Sequence, residues 1–207
     1  PYDQNGVSPF FDPEWMFDVK EGFDVVIGNP PYVQIQKFSG QQCQKDWQSQ
    51  KYKTFVKTGD IYSLFYEKGN MVLRDGGILA YISSNKWMRA NYGKATRKYF
   101  LENVTIQKLI DFGDSQIFEN ATTYTNILIF TNGQTDNNVQ SWDLSKEYIK
   151  NISLEYLLNE NDSCKALFNE DSFVIIPAEQ AAIKKRIENI GTPLKERDIS
   201  IYRGVLT

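Results

Sequence analysis

The chain has 207 residues, a net charge of −3, 41% hydrophobic and 14% aromatic residues, two cysteines and no histidine. The length suits one domain, or one domain and part of another, and the apolar content excludes wholesale disorder. The lack of histidine removes histidine-based triads and general bases. With Cys43 and Cys164 far apart, no zinc site, other metal site or disulfide framework is expected.

No stretch approaches the roughly 18 apolar residues of a membrane span. The opening Pro1-Tyr2-Asp3-Gln4 is neither a Met nor a signal peptide. A fragment of a longer cytoplasmic protein is therefore expected.

Residues 1–22 read as irregular. Phe23-Asp24-Val25-Val26-Ile27-Gly28 reads as a short buried strand, ended by Asn29-Pro30-Pro31-Tyr32. Residues 33–57 hold seven Gln and five Lys against the single acid Asp46, interleaved with Phe38, Trp47, Tyr52 and Phe55. They read as a mobile loop or weak helix: either a solvated surface or a clamp on nucleic-acid backbone through Lys37, Lys45, Lys51 and Lys53.

Asp60 suits the N-cap of a helix to about Leu73, with Ile61, Leu64, Phe65 and Val72 on one face. Arg74-Asp75-Gly76-Gly77 predicts a turn and 78–82 a buried strand. A helix at 91–102 is expected to turn Tyr92, Ala95, Tyr99 and Phe100 inward and Lys94, Arg97 and Lys98 to solvent. Strands follow at 105–112 and 124–130. Strands alternating with helices imply an α/β doubly wound sheet.

Beyond Thr131 the composition shifts to Asn and Asp, so a boundary is placed between residues 1–133 and 134–207. Later elements are a helical stretch near 154–158, a strand at 173–176 and a helix at 178–190 stopped by Gly191 and Pro193. An extended piece begins at Ile199.

Asn29–Tyr32 carries the chemistry. In open α/β sheets, ligands bind outside the carboxyl ends of strands. The adenine amine is a weak nucleophile because its lone pair is conjugated into the ring. Acceptors against its two N–H bonds favour a pyramidal, more nucleophilic nitrogen. The Asn29 side-chain oxygen and the Pro30 carbonyl suit those positions, and Pro31 fixes the backbone. Gly28 is expected to let a base approach, and Tyr32 offers a ring to stack on. Unpairing a base costs a few kcal/mol. One stack returns about 1–3 kcal/mol, and each hydrogen bond roughly 0.5–1.5 kcal/mol. The bland alternative is a proline turn that only ends a strand.

Phe23–Tyr32 resembles motif IV of the N6-adenine DNA methyltransferases, and more narrowly the type IIG restriction–modification enzymes. The similarity continues through Gly59-Asp60-Ile61-Tyr62, Gly76–Ile82, Asn85-Lys86-Trp87-Met88, and Ile117-Phe118 with Thr123–Phe130. Ile201–Thr207 resembles the opening of a target-recognition domain. The resemblance implies the C-terminal half of a Rossmann-like methyltransferase sheet, mostly parallel with its last strand antiparallel, followed from residue 134 by a linker and the start of the recognition domain.

It also implies double-stranded DNA as partner and S-adenosylmethionine as donor. The donor would be touched by Asn29 and Asp60, and the flipped base by Tyr32 and Phe118. The family's glycine-rich donor loop lies upstream of motif IV, as does the donor-binding strand that pairs with the strand at 23–28 in the family's sheet, so that strand is expected to be an exposed hydrophobic edge here. An N-terminal half of the same polypeptide is therefore expected to complete the site, and the isolated chain to show little activity. Two other readings stay open: an RNA-adenine or protein-glutamine methyltransferase, and a catalytically silent DNA-binding module.

Overall fold

The computed structural model describes residues 11–118, 124–134, 139–146, 148, 152–192 and 196–197. A five-stranded sheet dominates, in the order β1 (Phe23–Gly28), β2 (Leu73–Ser84), β4 (Thr125–Asn132), β3 (Val104–Asp111), β5 (Gln140–Asp143). β1 pairs parallel with β2, and β5 with β3, while β4 runs antiparallel to both its neighbours. Four strands therefore share one direction and their carboxyl ends line one edge. This is the mixed, mostly parallel α/β sheet expected, with β4 as its antiparallel strand. A β-hairpin of β6 (Lys165–Phe168) and β7 (Phe173–Ile176) forms a second, small sheet.

The helices are α1 (Pro13–Phe17), α2 (Gln42–Ser49), α3 (Tyr62–Met71), α4 (Lys94–Asn103), α5 (Leu154–Glu160) and α6 (Ala178–Ile190). The main core is aromatic. Tyr66, Trp87, Phe100, Phe130 and Phe173 are fully buried and meet mostly edge-on, with ring centroids 5.1 Å apart for Tyr66–Phe100 and Trp87–Phe100. That geometry sets ring edges against π faces. A smaller cluster, Ile110, Phe112, Trp142, Leu144 and Leu157, ties β3 and β5 to α5. Residues beyond the composition shift thus pack on the same sheet: β5 pairs with β3, and Phe173 enters the main core.

Several expectations need correction. β1 is an exposed edge strand, as the resemblance implied for a chain without the family's donor-binding strand, and not the buried strand its own residues suggested: Val25 is 57% and Ile27 81% exposed. Burial needs a covering layer on both faces, and among the described residues none covers these side chains. Arg74–Gly77 is not a free turn. It lies within β2 as an irregularity opposite the register shift between Phe23 and Val25. Helix α3 turns Tyr62, Tyr66 and Gly69 inward, leaving Phe65 exposed.

Arg97 is buried, not solvated. Its guanidinium donates to the carbonyls of Trp87 (2.5 Å), Ala90 (2.9 Å) and Glu170 (2.8 Å). Those three acceptors replace the water that a buried cation would otherwise lose. The 33–57 segment contains a 3-10 turn at Ile35–Phe38 and α2, joined by the Phe38–Trp47 ring pair. Residues 201–207, expected to open a recognition domain, and Thr123 lie outside the described residues.

Candidate active site

Asn29–Tyr32 leaves the carboxyl end of β1. Pro30 is buried, whereas Asn29 and Pro31 are exposed. The Tyr32 hydroxyl donates to Asn29 Oδ1 at 2.7 Å and lies 3.4 Å from the Ile82 carbonyl. The half-buried tyrosine therefore holds the asparagine carboxamide in place. A carboxamide oxygen has two lone pairs, so one remains for a second donor. Burial pushes the Tyr32 phenol above its ordinary range, which keeps it a neutral donor.

The chain then pairs back on the start of α3. Gln34 and Asp60 form an antiparallel bridge, with Ile35 N–H donating to Gly59 O and Ile61 N–H to Val33 O, both at 2.9 Å. This locks the exit of the Asn29–Tyr32 loop to Asp60, beside a cavity of about 390 Å³ lined by Tyr32, Gln34, Lys37, Asp60, Tyr62, Ser84, Lys86 and Tyr92. Its size falls in the range of ligand pockets, about 300–1,000 Å³.

Asp60 is not the helix cap. Ile61 holds the N-cap position of α3, and the Asp60 carboxylate instead accepts from the Tyr92 hydroxyl at 2.9 Å. Tyr92 also meets the Tyr62 hydroxyl at 3.4 Å. Burial, with Asp60 adding to it, lifts Tyr92 to about 12, and burial pushes Tyr62 well above the usual phenol range. All three phenols lining the cavity thus stay protonated at ordinary pH. They orient acceptors and cannot remove protons.

Gly28 packs against Tyr81: a Cβ there would lie 3.2 Å from the Tyr81 ring. Gly69 faces the same ring, and a Cβ there would meet the Tyr81 hydroxyl at 2.8 Å and Leu79 Cδ1 at 2.5 Å. Tyr81 thus packs closely against both glycines, which brings α3 down onto β2 beside the loop.

The sheet gathers Tyr32, Lys37 and Asp60 from the expected set, with Asn29 bonded to Tyr32. It does not gather the rest. Phe118 is half-buried and does not line the cavity. Lys45 and Lys51 are exposed. Lys53 turns to Asn103 Oδ1 at 3.0 Å and sits 6.0 Å from the centre of the Tyr99 ring. Its backbone is tied there because the Glu67 carboxylate accepts from the N–H groups of Lys53 and Thr54. Tyr62, Ser84, Lys86 and Tyr92 were not anticipated as site residues. The one local signal for Ser84 and Lys86 was their place just beyond a parallel strand's carboxyl end.

Sheet, edge and cavity define an α/β protein whose polar binding site lies at the carboxyl edge of a mostly parallel sheet. A sequence profile described as the Eco57I restriction-modification methylase matches residues 4–118. The chain is 35% identical over 156 residues to the type II restriction enzyme and methyltransferase RM.Eco57I of Escherichia coli, covering 74% of this chain and 15% of that protein. It is 30% identical over 128 residues to the type II methyltransferase M.BstVI of Geobacillus stearothermophilus, covering 60% and 22%.

A solved structure described by the complex assembly and conformational transition of the type I R-M system superposes with a TM-score of 0.50 at 17% identity, over 87% of this chain and 39% of that one. This last likeness is one of fold. The chain belongs to the Eco57I restriction-modification methylase family. It spans 15% and 22% of the length of the two relatives.

Proposed function

We propose that this chain forms the catalytic-loop part of a site-specific DNA methyltransferase that methylates N6 of an adenine turned out of the duplex, with S-adenosylmethionine as methyl donor. The carrying observation is the Tyr32–Asn29 hydrogen bond at the mouth of a cavity at the carboxyl edge. The free lone pair of Asn29 Oδ1 and the Pro30 carbonyl accept the two amine N–H bonds. The Tyr32 ring stacks on the base while its hydroxyl keeps Asn29 aimed, so binding and activation are coupled in one side chain.

No general base is required, because the amine sheds its proton after transfer. This agrees with a cavity whose phenols are all neutral. S-adenosylmethionine supplies an electrophilic methyl group. Of the residues present, the Asp60 carboxylate, fixed by Tyr92, fits the donor's ammonium or hydroxyl groups as an acceptor, and the exposed Asn29 carboxamide keeps its NH2 to donate to the donor's carboxylate. Lys37 supplies a cation for substrate phosphate. Residues 1–133 would form the catalytic unit and 134–207 lead into a recognition domain, with the 140–176 region built onto the catalytic sheet.

The test is transfer of labelled methyl groups from S-adenosylmethionine to duplex DNA by the full-length protein, beside Asn29→Ala. Removing one preorganised partner of the reacting group should cost about 10²–10³-fold in kcat. Transfer to adenine that survives Asn29→Ala would refute the role. Transfer to RNA or to a protein instead of DNA would overturn the substrate.

A further inference from the structure

The turn beyond β2 carries cations that the reaction does not use. It is a 3-10 turn, Asn85–Met88, with Arg89 at its C-cap. Trp87 and Met88 are buried at 0% and 1% exposure, whereas Lys86 and Arg89 are exposed. The backbone is pinned from several sides. Asn85 N–H donates to Tyr124 O at 3.0 Å, and Asn85 Nδ2 to Asp111 Oδ1 at 2.6 Å. The buried Arg97 guanidinium holds the Trp87 and Ala90 carbonyls.

The two exposed cations face different spaces. Lys86 lines the candidate active-site cavity, and Arg89 lines a neighbouring cavity of about 450 Å³ with Trp142, Lys146, Asp143 and Asp162. The turn is therefore a rigid ridge between two openings on the carboxyl edge, with one cation on each slope.

Several cations elsewhere are occupied, although among the described residues exposed lysines such as Lys45 and Lys51 are not in ion pairs. On α4, Lys94 pairs with Glu170 and Asp171, and Lys98 with Glu102 and Glu170. Arg74, near the opposite end of β2, pairs with Asp24 at 2.7 Å. Among the described residues, Lys37, Lys86 and Arg89 make no ion pair. Holding like charges side by side on a fixed turn suits a polyanion. A 3-10 turn rises about 2.0 Å per residue, so Lys86 and Arg89 are about 6 Å apart along it. Asp143 and Asp162 disfavour a phosphate deep in the second cavity and keep it on the ridge.

We propose that Lys86 and Arg89 grip the DNA backbone on either side of the nucleotide presented to Tyr32, holding the strand across the ridge while the base enters the cavity. This rests on the DNA-methylation reading above and adds to it the surface that carries the phosphates.

The experiment is equilibrium binding of duplex DNA to the full-length protein over a range of salt concentrations, for wild type, Lys86→Gln, Arg89→Gln, the double variant and Arg74→Gln. Each single substitution should reduce the slope of log K against log salt by about 0.9, and the double variant by about twice that. The loss should be equal for target and non-target duplexes, with kcat at saturating DNA retained in Arg89→Gln, whose side chain lies outside the candidate active-site cavity. Arg74→Gln should keep the wild-type slope, and circular dichroism should confirm that all variants are folded. Unchanged slopes in folded variants that still bind DNA would refute the ridge and leave the methylation reading standing. Wild-type protein that binds no duplex DNA would overturn both, and salt-dependent binding to RNA alone would redirect the ridge to that partner.

Discussion

β1 and β4 are both short apolar strands, yet they live in opposite environments. β4 lies between β2 and β3 with Leu128 and Phe130 fully buried, whereas among the described residues β1 pairs only with β2 and leaves Ile27 81% exposed. The centre of the sheet concentrates burial and stability. The edge strand contributes little burial and delivers the candidate catalytic loop. Exposed apolar edge strands are association hazards, so the hydrophobic face of β1 is a cost the fold carries beside its candidate site.

Breaking the centre should have the largest effect. Phe130→Ala removes a ring 5.8 Å from Phe100 and 6.4 Å from Tyr66. It should destabilise the chain by about 3–5 kcal/mol in denaturant titrations, the usual cost of emptying a buried aromatic site.

An intermediate effect is expected at Asp111, which ends β3 and is 6% exposed. Burial raises its pKa despite hydrogen bonds from Asn85 and Gly113, so ionisation opposes folding. The stability is fully present below the unfolded value, about 3.9, and falls as pH rises through the raised folded value. Both hydrogen bonds end on Oδ1, which Asn retains. Asp111→Asn should therefore match or exceed wild-type stability at neutral pH, with a smaller difference in acid. Unfolding free energies at pH 4 and pH 8 would check this, and a variant weaker at both would refute the sign.

The smallest effect is expected at the edge. Ile27→Thr should change stability by no more than about 0.5 kcal/mol, as is usual for exposed positions. A larger loss would mean that β1 is covered.

Much of the architecture was legible from local pattern. Strand 173–176 and helix 178–190 appear at those bounds, and the strands at 78–82, 105–112 and 124–130 lie within β2, β3 and β4 to within a residue. The candidate site was legible only in its loop. Tyr92 reaches Asp60 across 32 positions, and Tyr32 reaches the Ile82 carbonyl across 50. No window of local sequence encodes such partners. Arg97 was misread for the same reason: a cation at an apparently outward helical position looks solvated until the Trp87, Ala90 and Glu170 carbonyls are known to converge on it.

The sequence by itself determined the elements and the strand-ending Asn29–Tyr32 loop, because hydrophobic period and proline geometry act over a few neighbouring residues. Tertiary structure alone decided which lysines face the cavity, that Arg97 is buried, and that Asp60 answers to Tyr92 instead of capping a helix. Burial and hydrogen-bond pairing are set by what packs opposite a residue, and in a crossed-over sheet that neighbour comes from far along the chain.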